Sequence, residues 1–248
     1  LETVFYPIGI NDALEVIPSS GTVLQFSQTG LMVDGNEADN ICIKAYHLLK
    51  KDFPHLPAIK MHLHKAVPIG AGLGGGSADG AFALQLLNTE FKLGLSKQQL
   101  IEYALLLGSD CPFFIINQLC YAIGRGEILE PIQLNLSSYK IAVINPGIHI
   151  NTSWAFKQLQ RTTKPEGHNS LKEAITKPLY NWKEVLINDF ETVVFTAHPG
   201  IKFNKDKLYE MGALYASMSG SGSTVFGIFE RAPSLNEFEK KGWFTRLV

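Results

Sequence analysis

The 248-residue sequence has few cysteines, almost no net charge and no long apolar run, and each of these absences excludes a class of protein. The three cysteines are odd in number and form no C-x-x-C pair, which argues against a disulfide framework. A net charge of −1 gives no indication of a nucleic-acid or membrane-surface binder. No apolar stretch reaches the length of a membrane span, and no signal peptide is expected. The sequence therefore predicts a cytoplasmic, bacterial-type protein that binds neither nucleic acid nor membrane.

Hydrophobic residues make up 46% of the chain and charged residues 18%, a balance typical of a globular protein with a substantial core. The length suits one large domain or two of ordinary size. The character of the sequence changes near residues 135–138, just before a strand pattern. We therefore expect an N-terminal domain over residues 1–137 and a C-terminal domain over residues 138–248. Leu1 already lies in a strand-like pattern, so we also expect residues upstream of it.

Glycine is concentrated in one segment, residues 68–80, where five of the first nine residues are glycine. Glycine has no Cβ, so its backbone can adopt positive φ and a ligand can approach it closely. An apolar run over residues 81–87 follows and predicts a helix. A loop that leads into a helix N-terminus presents free N–H groups and the positive end of the helix dipole. The segment therefore predicts a site for the phosphates of a nucleotide.

Three known nucleotide-binding loops share features with this segment, and the surrounding sequence excludes each of them. Gly70-x-Gly72-x-x-Gly75 matches the dinucleotide fingerprint, but a second helix pattern follows where that fold needs a strand and an acidic residue. A Walker A loop requires a lysine before the serine, whereas Gly76 precedes Ser77. The partner motifs of protein kinases are missing. A purely structural turn is disfavoured because so many glycines lose much chain entropy on folding.

Several polar residues near this loop have both a local structural explanation and a functional one. Asn40 precedes a helical pattern, where it suits an N-cap as well as a ligand contact. Residues 59–67 alternate apolar and polar side chains in a strand pattern that leads directly into the loop. His62 and His64 form an H-x-H pair on its polar face, but no third ligand is in view, so a solvated face is favoured over a metal site. Lys65 is equally well explained as a solvated charge at the strand end.

Two segments carry a resemblance to a known family. The run Pro68-Ile69-Gly70-Ala71-Gly72-Leu73-Gly74-Gly75-Gly76-Ser77 closely resembles the phosphate-binding motif of the GHMP kinases, which include homoserine and mevalonate kinases. Residues 219–226 are similar to the third motif of that family. The resemblance implies an α/β fold (two-layer α+β) of the GHMP type, with an N-terminal domain like ribosomal protein S5 and a ferredoxin-like C-terminal domain. It also implies a small-molecule kinase that uses ATP and Mg²⁺.

The resemblance extends to the acceptor. Residues 107–114, residues 124–129 and Asn145-Pro146-Gly147 are similar to the members that act on a cytidyl substrate. The implied reaction transfers the γ-phosphoryl of ATP to the 2-hydroxyl of 4-diphosphocytidyl-2-C-methyl-D-erythritol, in non-mevalonate isoprenoid precursor biosynthesis. The alternatives are another GHMP kinase, for mevalonate or homoserine, and a nucleotide-binding protein of this fold without catalysis. We expect a monomer or a weak homodimer.

The resemblance also implies roles for individual residues. Asp110 lies where the chain turns after a helix, and it is the candidate base for the acceptor hydroxyl, with a turn or cap aspartate as the alternative. Ser77 is a candidate contact to phosphate or Mg²⁺, and no other Mg²⁺ ligand is assigned. Phe156 matches a cytidine-pocket position suited to base stacking, although a place in a helix core is equally compatible. The remaining matches are Phe5 and Thr152 for the cytidine pocket, and Pro68, Ile69, Gly70, Ala71, Gly72, Leu73, Gly74, Gly75, Gly76, Ser77, Ala78, Asn40 and Lys65 for ATP.

Two further features of the family fall at positions before Leu1. Relatives carry a lysine on the first strand that pairs with the catalytic aspartate, and a Tyr-His pair that binds the cytosine end. We therefore expect an Ala-Lys-(Ile/Leu)-Asn strand and a Tyr-His pair in the residues upstream.

Overall fold

The computed structural model describes residues 1–32, 35–159 and 171–248, and it divides into two compact units. One unit comprises residues 1–69 and 74–132, and the other comprises residues 70–73 and 133–248. The predicted domain division after residue 137 stays a prediction. A predicted turn that begins at Asp34 and a predicted loop over residues 161–170 lie outside the described residues.

The first unit contains helices and two three-stranded sheets. In one antiparallel sheet β5 lies between β1 and β6; in the other, β4 pairs with β2 antiparallel and with β3 parallel. The strands are β1 (Glu2–Phe5), β2 (Ala13–Pro18), β3 (Gln25–Gly30), β4 (Ile59–Lys65), β5 (Cys120–Ile123) and β6 (Ile128–Pro131). The helices are α1 (Ile41–Asp52), α2 (Gly75–Glu90), α3 (Lys97–Leu107) and α4 (Cys111–Ile116).

Strand β4 shows how the period of the sequence determines which side chains are buried. Ile59 and Met61 belong to the core of the first unit and are at most 1% exposed. His62 and His64 lie on the opposite face, where they hydrogen-bond to hydroxyl groups of β3. Within the described residues no group of three candidate ligands could hold a metal ion. The two histidines lie on the face of β4 opposite the core, as the alternation of the sequence predicts.

The second unit is built on one four-stranded antiparallel sheet in the order β10-β7-β9-β8. Its strands are β7 (Lys140–Asn145), β8 (Tyr215–Met218), β9 (Val225–Phe229) and β10 (Phe244–Leu247). Its helices are α5 (Thr152–Gln158), α6 (Leu171–Ala174), α7 (Trp182–Val185), α8 (Phe190–Ala197), α9 (Pro199–Glu210) and α10 (Asn236–Glu239). Ile144 of the sheet and Val194, Ile201 and Leu208 of the helices are fully buried in a common core.

The main correction to the sequence prediction concerns the bounds of α2. The helix begins at Gly75, six residues before the predicted apolar run, and it continues to Glu90 through residues predicted to be a connection. Glycines have low helix propensity, so the local pattern favoured a loop. Close packing explains the difference at Gly80, because a Cβ there would lie 2.7 Å from Cγ1 of Ile41. The glycine-rich segment is therefore partly helix, and its last glycines lie in the first turns.

The cysteines and the apolar character of the helices are two further features of the structure. All three cysteines are buried and free, so the chain has no disulfide framework. Among the described residues, no helix combines the length and the apolar character that crossing a membrane requires.

Candidate active site

The glycine loop reverses direction through residues in the left-handed region and then enters α2. Gly72 and Gly74 have φ values of +76° and +68°, a backbone conformation that residues with a side chain rarely adopt. Gly74 is the N-cap of α2 and offers no side chain to the N–H groups of the first turn. These groups, from Gly75 to Ser77, lie at the positive end of a 16-residue helix. The arrangement suits a phosphate anion.

Most glycines in the loop lack a side chain because protein atoms already occupy the space. A Cβ on Gly72 would lie 2.0 Å from the Ser219 carbonyl oxygen, and a Cβ on Gly74 would lie 2.8 Å from Cζ of Phe114. Gly76 differs, because a Cβ there would meet no described atom within 4 Å other than those of its chain neighbours and its own helix backbone. The open space at Gly76 is therefore compatible with a ligand against the backbone.

A second small-residue loop, residues 219–224, holds the beginning of the glycine loop within the second unit. The Ser219 hydroxyl donates to the Gly72 carbonyl at 2.7 Å, and the Thr224 N–H donates to the Ala71 carbonyl at 3.2 Å. Asn188 in turn donates from Nδ2 to the carbonyls of Met218 and Gly220, at 2.7 and 2.8 Å. These contacts give residues 71–72 a fixed backbone.

Lys65 lies under the other end of the glycine loop, in a buried cluster with Asp12 and Asp79. Its ammonium contacts Oδ2 of Asp12 and lies 2.8 Å from Oδ2 of Asp79, and all three side chains are at most 7% exposed. Oδ1 of Asp12 also accepts from the N–H groups of Ala66 and Val67, at 2.6 and 2.8 Å. The interpretation of Lys65 as a solvated charge was therefore wrong. The cluster connects the end of β4 with the second turn of α2.

The two carboxylates of this cluster titrate differently. Burial raises the pKa of Asp79 to about 7, although Lys65 opposes the shift. Burial alone would also raise the pKa of Asp12. Hydrogen bonds from Lys65 and from two backbone N–H groups outweigh it and hold the pKa of Asp12 below its usual range. Asp12 therefore carries the charge that balances Lys65.

Asp110 lies at the N-cap position of α4, half-buried, with its carboxylate uncommitted to the helix N-terminus. The Ser109 hydroxyl donates to Oδ1 at 3.3 Å. A Cβ on Gly126 would lie 3.0 Å from that same oxygen and 3.6 Å from the ring of Phe5. Burial raises the pKa of Asp110, with the Ser109 hydrogen bond acting in the opposite direction. Asp110 is thus a carboxylate with higher basicity than usual beside a glycine and an aromatic ring.

Two predicted site residues, Ser77 and Phe5, lie against residues of α4 that follow this carboxylate in the chain. Ser77 is half-buried in the first turn of α2 and lies close to the thiol of Cys111, which directly follows Asp110. The ring of Phe5 packs against Phe113 with centroids 5.0 Å apart. The structure therefore brings Phe5, Ser77 and the α4 N-terminus together in the first unit.

The remaining predicted residues lie apart from that group. Asn40 is the N-cap of α1, accepting from the Cys42 N–H at 2.9 Å, so the capping interpretation is confirmed. Thr152 begins α5 in the second unit, and its hydroxyl is 2.9 Å from that of Ser221. Phe156 is 52% exposed and makes an edge-to-face contact with Phe190, with ring centroids 4.9 Å apart. The helix-core interpretation of Phe156 was therefore wrong.

Sequence reasoning missed two residues of the buried cluster and one residue beside the loop. The sequence pattern marks neither Asp12 nor Asp79 as a partner of Lys65. His149 had no local signal at all, yet its ring lies against Gly70. Their partners are far away in the sequence, so no local pattern could indicate them.

Two family models match the chain. The model described as GHMP kinases N terminal domain matches residues 40–118, and that described as GHMP kinases C terminal matches residues 155–241. Together they cover the glycine loop, Asp110 and the second small-residue loop.

Curated proteins similar to the chain carry a common name. A protein of Bacteroides thetaiotaomicron named 4-diphosphocytidyl-2-C-methyl-D-erythritol kinase is 51% identical over 239 residues, 96% of this chain and 86% of that protein. A protein of Cytophaga hutchinsonii with the same name is 47% identical over 236 residues, 94% of this chain and 84% of that protein. These similarities extend over nearly the whole chain.

Solved structures agree on the fold and on the family. A crystal structure of 4-(cytidine 5'-diphospho)-2C-methyl-D-erythritol kinase matches with a TM-score of 0.75 and 25% identity, over 99% of this chain and 88% of that one. A homoserine kinase from Cytophaga hutchinsonii matches with a TM-score of 0.67 and 15% identity, over 99% and 86%; this second likeness concerns the fold alone. The α/β fold and the small-molecule kinase class predicted from the sequence are thereby confirmed, and the chain belongs to the GHMP kinase family.

Proposed function

We propose that the chain transfers the γ-phosphoryl group of ATP to the 2-hydroxyl of 4-diphosphocytidyl-2-C-methyl-D-erythritol, a step of non-mevalonate isoprenoid precursor biosynthesis. The hydroxyl oxygen forms a bond to the γ-phosphorus, the bond from that phosphorus to the bridging oxygen breaks, and ADP leaves. The observation that carries the proposal is the relatives named for this activity, at 40–51% identity over nearly the whole chain.

The glycine loop is the proposed site for the phosphates of the donor. Its N–H groups from Gly70 to Ser77, with Pro68, Ile69 and Ala78 at its margins, form the predicted cradle. The open space at Gly76 and the uncapped first turn of α2 support this role. Because phosphoryl transfer depends on positioning and charge stabilisation, a loop with a fixed backbone is suited to it.

Asp110 is the proposed base that accepts the proton of the acceptor hydroxyl. Its carboxylate is half-buried, its pKa is raised by burial, and only one weak hydrogen bond from Ser109 engages it. A carboxylate in this state accepts a proton more readily than an exposed aspartate. The missing side chain of Gly126 leaves one oxygen approachable.

In this proposal Mg²⁺ binds together with the phosphates of ATP. The hydroxyl of Ser77, in the first turn of α2, is a hard oxygen donor beside the proposed phosphate site. Mg²⁺ is usually bound by one or two such groups together with phosphates and water, so this donor set fits. When bound, the ion supplies charge stabilisation to the phosphates.

The acceptor and the adenosine part use residues outside the loop. Phe156 is the proposed platform for the cytosine ring, because half of its surface is exposed and aromatic rings stack on bases. Thr152, on the same helix as Phe156, and Phe5 of the first unit are the other residues proposed to contact cytidine. Asn40 retains its side-chain N–H donors for ATP, since only its oxygen is used in the cap. Lys65 acts on ATP through the loop, because two carboxylates already engage its ammonium.

A panel of acceptors tests the proposal. ADP release by the purified chain is measured with ATP, Mg²⁺ and one acceptor at a time: the cytidyl substrate, mevalonate or homoserine. We expect release with the cytidyl substrate alone. Preferential release with mevalonate or homoserine would contradict the proposed acceptor, and ATP binding without release with any of the three would indicate a non-catalytic protein.

A further inference from the structure

His149 lies on a short segment whose backbone is held on both sides. It follows β7, where Oδ1 of Asn145 accepts from the Gly147 N–H at 2.9 Å. On one side of it, the Ile148 carbonyl accepts from the Ser223 hydroxyl; on the other, Ile150 is 2% exposed and packs in the core. The backbone that carries the His149 side chain therefore has a defined position.

The imidazole of His149 lies directly against the start of the glycine loop. Its Nδ1 and Cε1 would be 2.7 and 2.8 Å from a Cβ on Gly70, closer than real Cβ contacts allow. Gly70 and His149 both belong to the second unit. The ring is nevertheless exposed, and it hydrogen-bonds to no other described residue. An exposed donor with a fixed place beside a phosphate loop is available to a ligand.

We propose that His149 is a ligand-binding residue, whose imidazole donates a hydrogen bond to a phosphate oxygen of a nucleotide bound beside Gly70. The inference rests on the proposed function, which places phosphates at this loop. Histidine donates from both ring nitrogens when protonated, and a charged donor to phosphate makes one of the stronger hydrogen bonds. The absent side chain of Gly70 brings this donor close to the loop backbone.

The phosphate has two sources, the donor nucleotide and the diphosphate of the cytidyl acceptor. Both present the same chemistry to an imidazole, so binding of ADP and of CDP is measured separately by titration calorimetry. We compare the parent with His149→Ala, His149→Gln and the control His47→Ala. His47 is likewise exposed but lies on α1.

We expect His149→Ala to weaken binding of one of the two nucleotides about tenfold, or ~1.4 kcal/mol. His149→Gln should recover part of this loss because glutamine retains an N–H donor. His47→Ala should bind both nucleotides like the parent. Melting temperatures should stay unchanged for all variants, because both histidines are exposed. Weakening for ADP assigns the contact to the donor, and weakening for CDP assigns it to the acceptor.

Two results would overturn the role of His149. One is unchanged affinity of His149→Ala for both nucleotides, in conditions where the parent binds them. The other is an equal loss in the alanine and glutamine variants, which would indicate packing against Gly70 in place of a hydrogen bond. Failure of the parent to bind either nucleotide would instead refute the proposed function itself.

Discussion

At the scale of single residues, Asp110 shows how burial and a turn produce a candidate base. The carboxylate lies at a helix N-cap position but accepts no hydrogen bond from the first turn of α4. A cap aspartate would use its oxygens there, so the capping alternative has no support from this geometry. Among the described residues, the Ser109 hydroxyl is the hydrogen-bond donor to this carboxylate, and burial raises the pKa of Asp110.

Replacement of Asp110 by asparagine tests this role. We expect Asp110→Asn to lower kcat by about 10²–10⁴-fold, because the amide cannot accept the hydroxyl proton. Affinity for ADP, measured by calorimetry, should stay within about twofold of the parent, because the glycine loop is unchanged. A variant that turns over at the parent rate would refute the assignment of the base.

The pH dependence of the parent provides an independent check on the same residue. Asp110 must be ionised to accept a proton, and its pKa is raised, so kcat/KM should fall as pH decreases through a value above the ordinary aspartate pKa of 3.8. The acidic limb is measured in buffers of constant ionic strength. A limb at or below the ordinary value, in an active enzyme, would show that Asp110 does not control it.

At the scale of secondary-structure elements, the sequence predicts the helix N-caps and the alternating burial of β4, but not the start of α2 at Gly75. The capping box of Ser96 and Gln99 and the cap of α5 by Asn151 both form as their local sequence indicates. The bounds of α2 depend on packing against α1, which acts over distance and overrides the low helix propensity of glycine. The sequence therefore predicted the glycine loop and the helix after it, but not the boundary between them.

The burial of Lys65 follows from the two-residue period of β4. Lys65 continues the inward face of β4 at spacing two from Ile59, Met61 and Leu63, and the same period predicts its burial. A lysine on an apolar face requires a carboxylate partner. The period does not identify the carboxylate partners of Lys65, because one of them, Asp12, lies 53 residues earlier in the chain. Burial was thus predictable from the strand, whereas the ion pairs depend on the fold.

Gly76 provides a test of the loop at the element scale. We expect Gly76→Ala to keep or raise the melting temperature, because alanine favours a helix and no protein atom lies within 4 Å of its Cβ. ADP affinity should nevertheless fall about tenfold or more if a phosphate approaches the backbone there. Calorimetry and thermal unfolding are measured on the same samples.

Gly200→Ala is the matched control for this prediction. Gly200 is the second residue of α9, and it too has no heavy atom within 4 Å of its Cβ position. Its variant should bind ADP like the parent. If Gly76→Ala also binds ADP with the parent's affinity, the space beside Gly76 is not part of the nucleotide site.

At the scale of the whole molecule, the buried cluster of Asp12, Lys65 and Asp79 links the stability of the chain to pH. The pKa of Asp79 is about 7 in the folded protein, above its value in an unfolded chain. At pH values between these two pKa values, the folded protein therefore binds more protons than the unfolded chain. The contribution of Asp79 to the free energy of unfolding is complete below its unfolded-state pKa and is lost as pH rises through its folded-state pKa. Stability therefore decreases with rising pH between about pH 4 and about pH 7.

Asp79→Asn is expected to remove this component of the pH dependence. Asparagine is uncharged at every pH, so the difference in unfolding free energy between parent and variant should change by roughly 1–4 kcal/mol across that window. Urea unfolding at pH 5 and pH 8 gives the four values needed. A difference between parent and variant that is equal at both pH values would show that Asp79 does not titrate in the folded protein.

The central claim, that the whole chain phosphorylates the 2-hydroxyl of the cytidyl substrate, is tested most directly by phosphorus NMR. One equivalent of ATP, with Mg²⁺ and 4-diphosphocytidyl-2-C-methyl-D-erythritol, is incubated with the purified protein and the products are observed. We predict equal amounts of ADP and of a new phosphomonoester on the tertiary carbon, with the diphosphate signals of the acceptor retained. Inorganic phosphate in place of that phosphomonoester, or a phosphate on another hydroxyl, would contradict the claim.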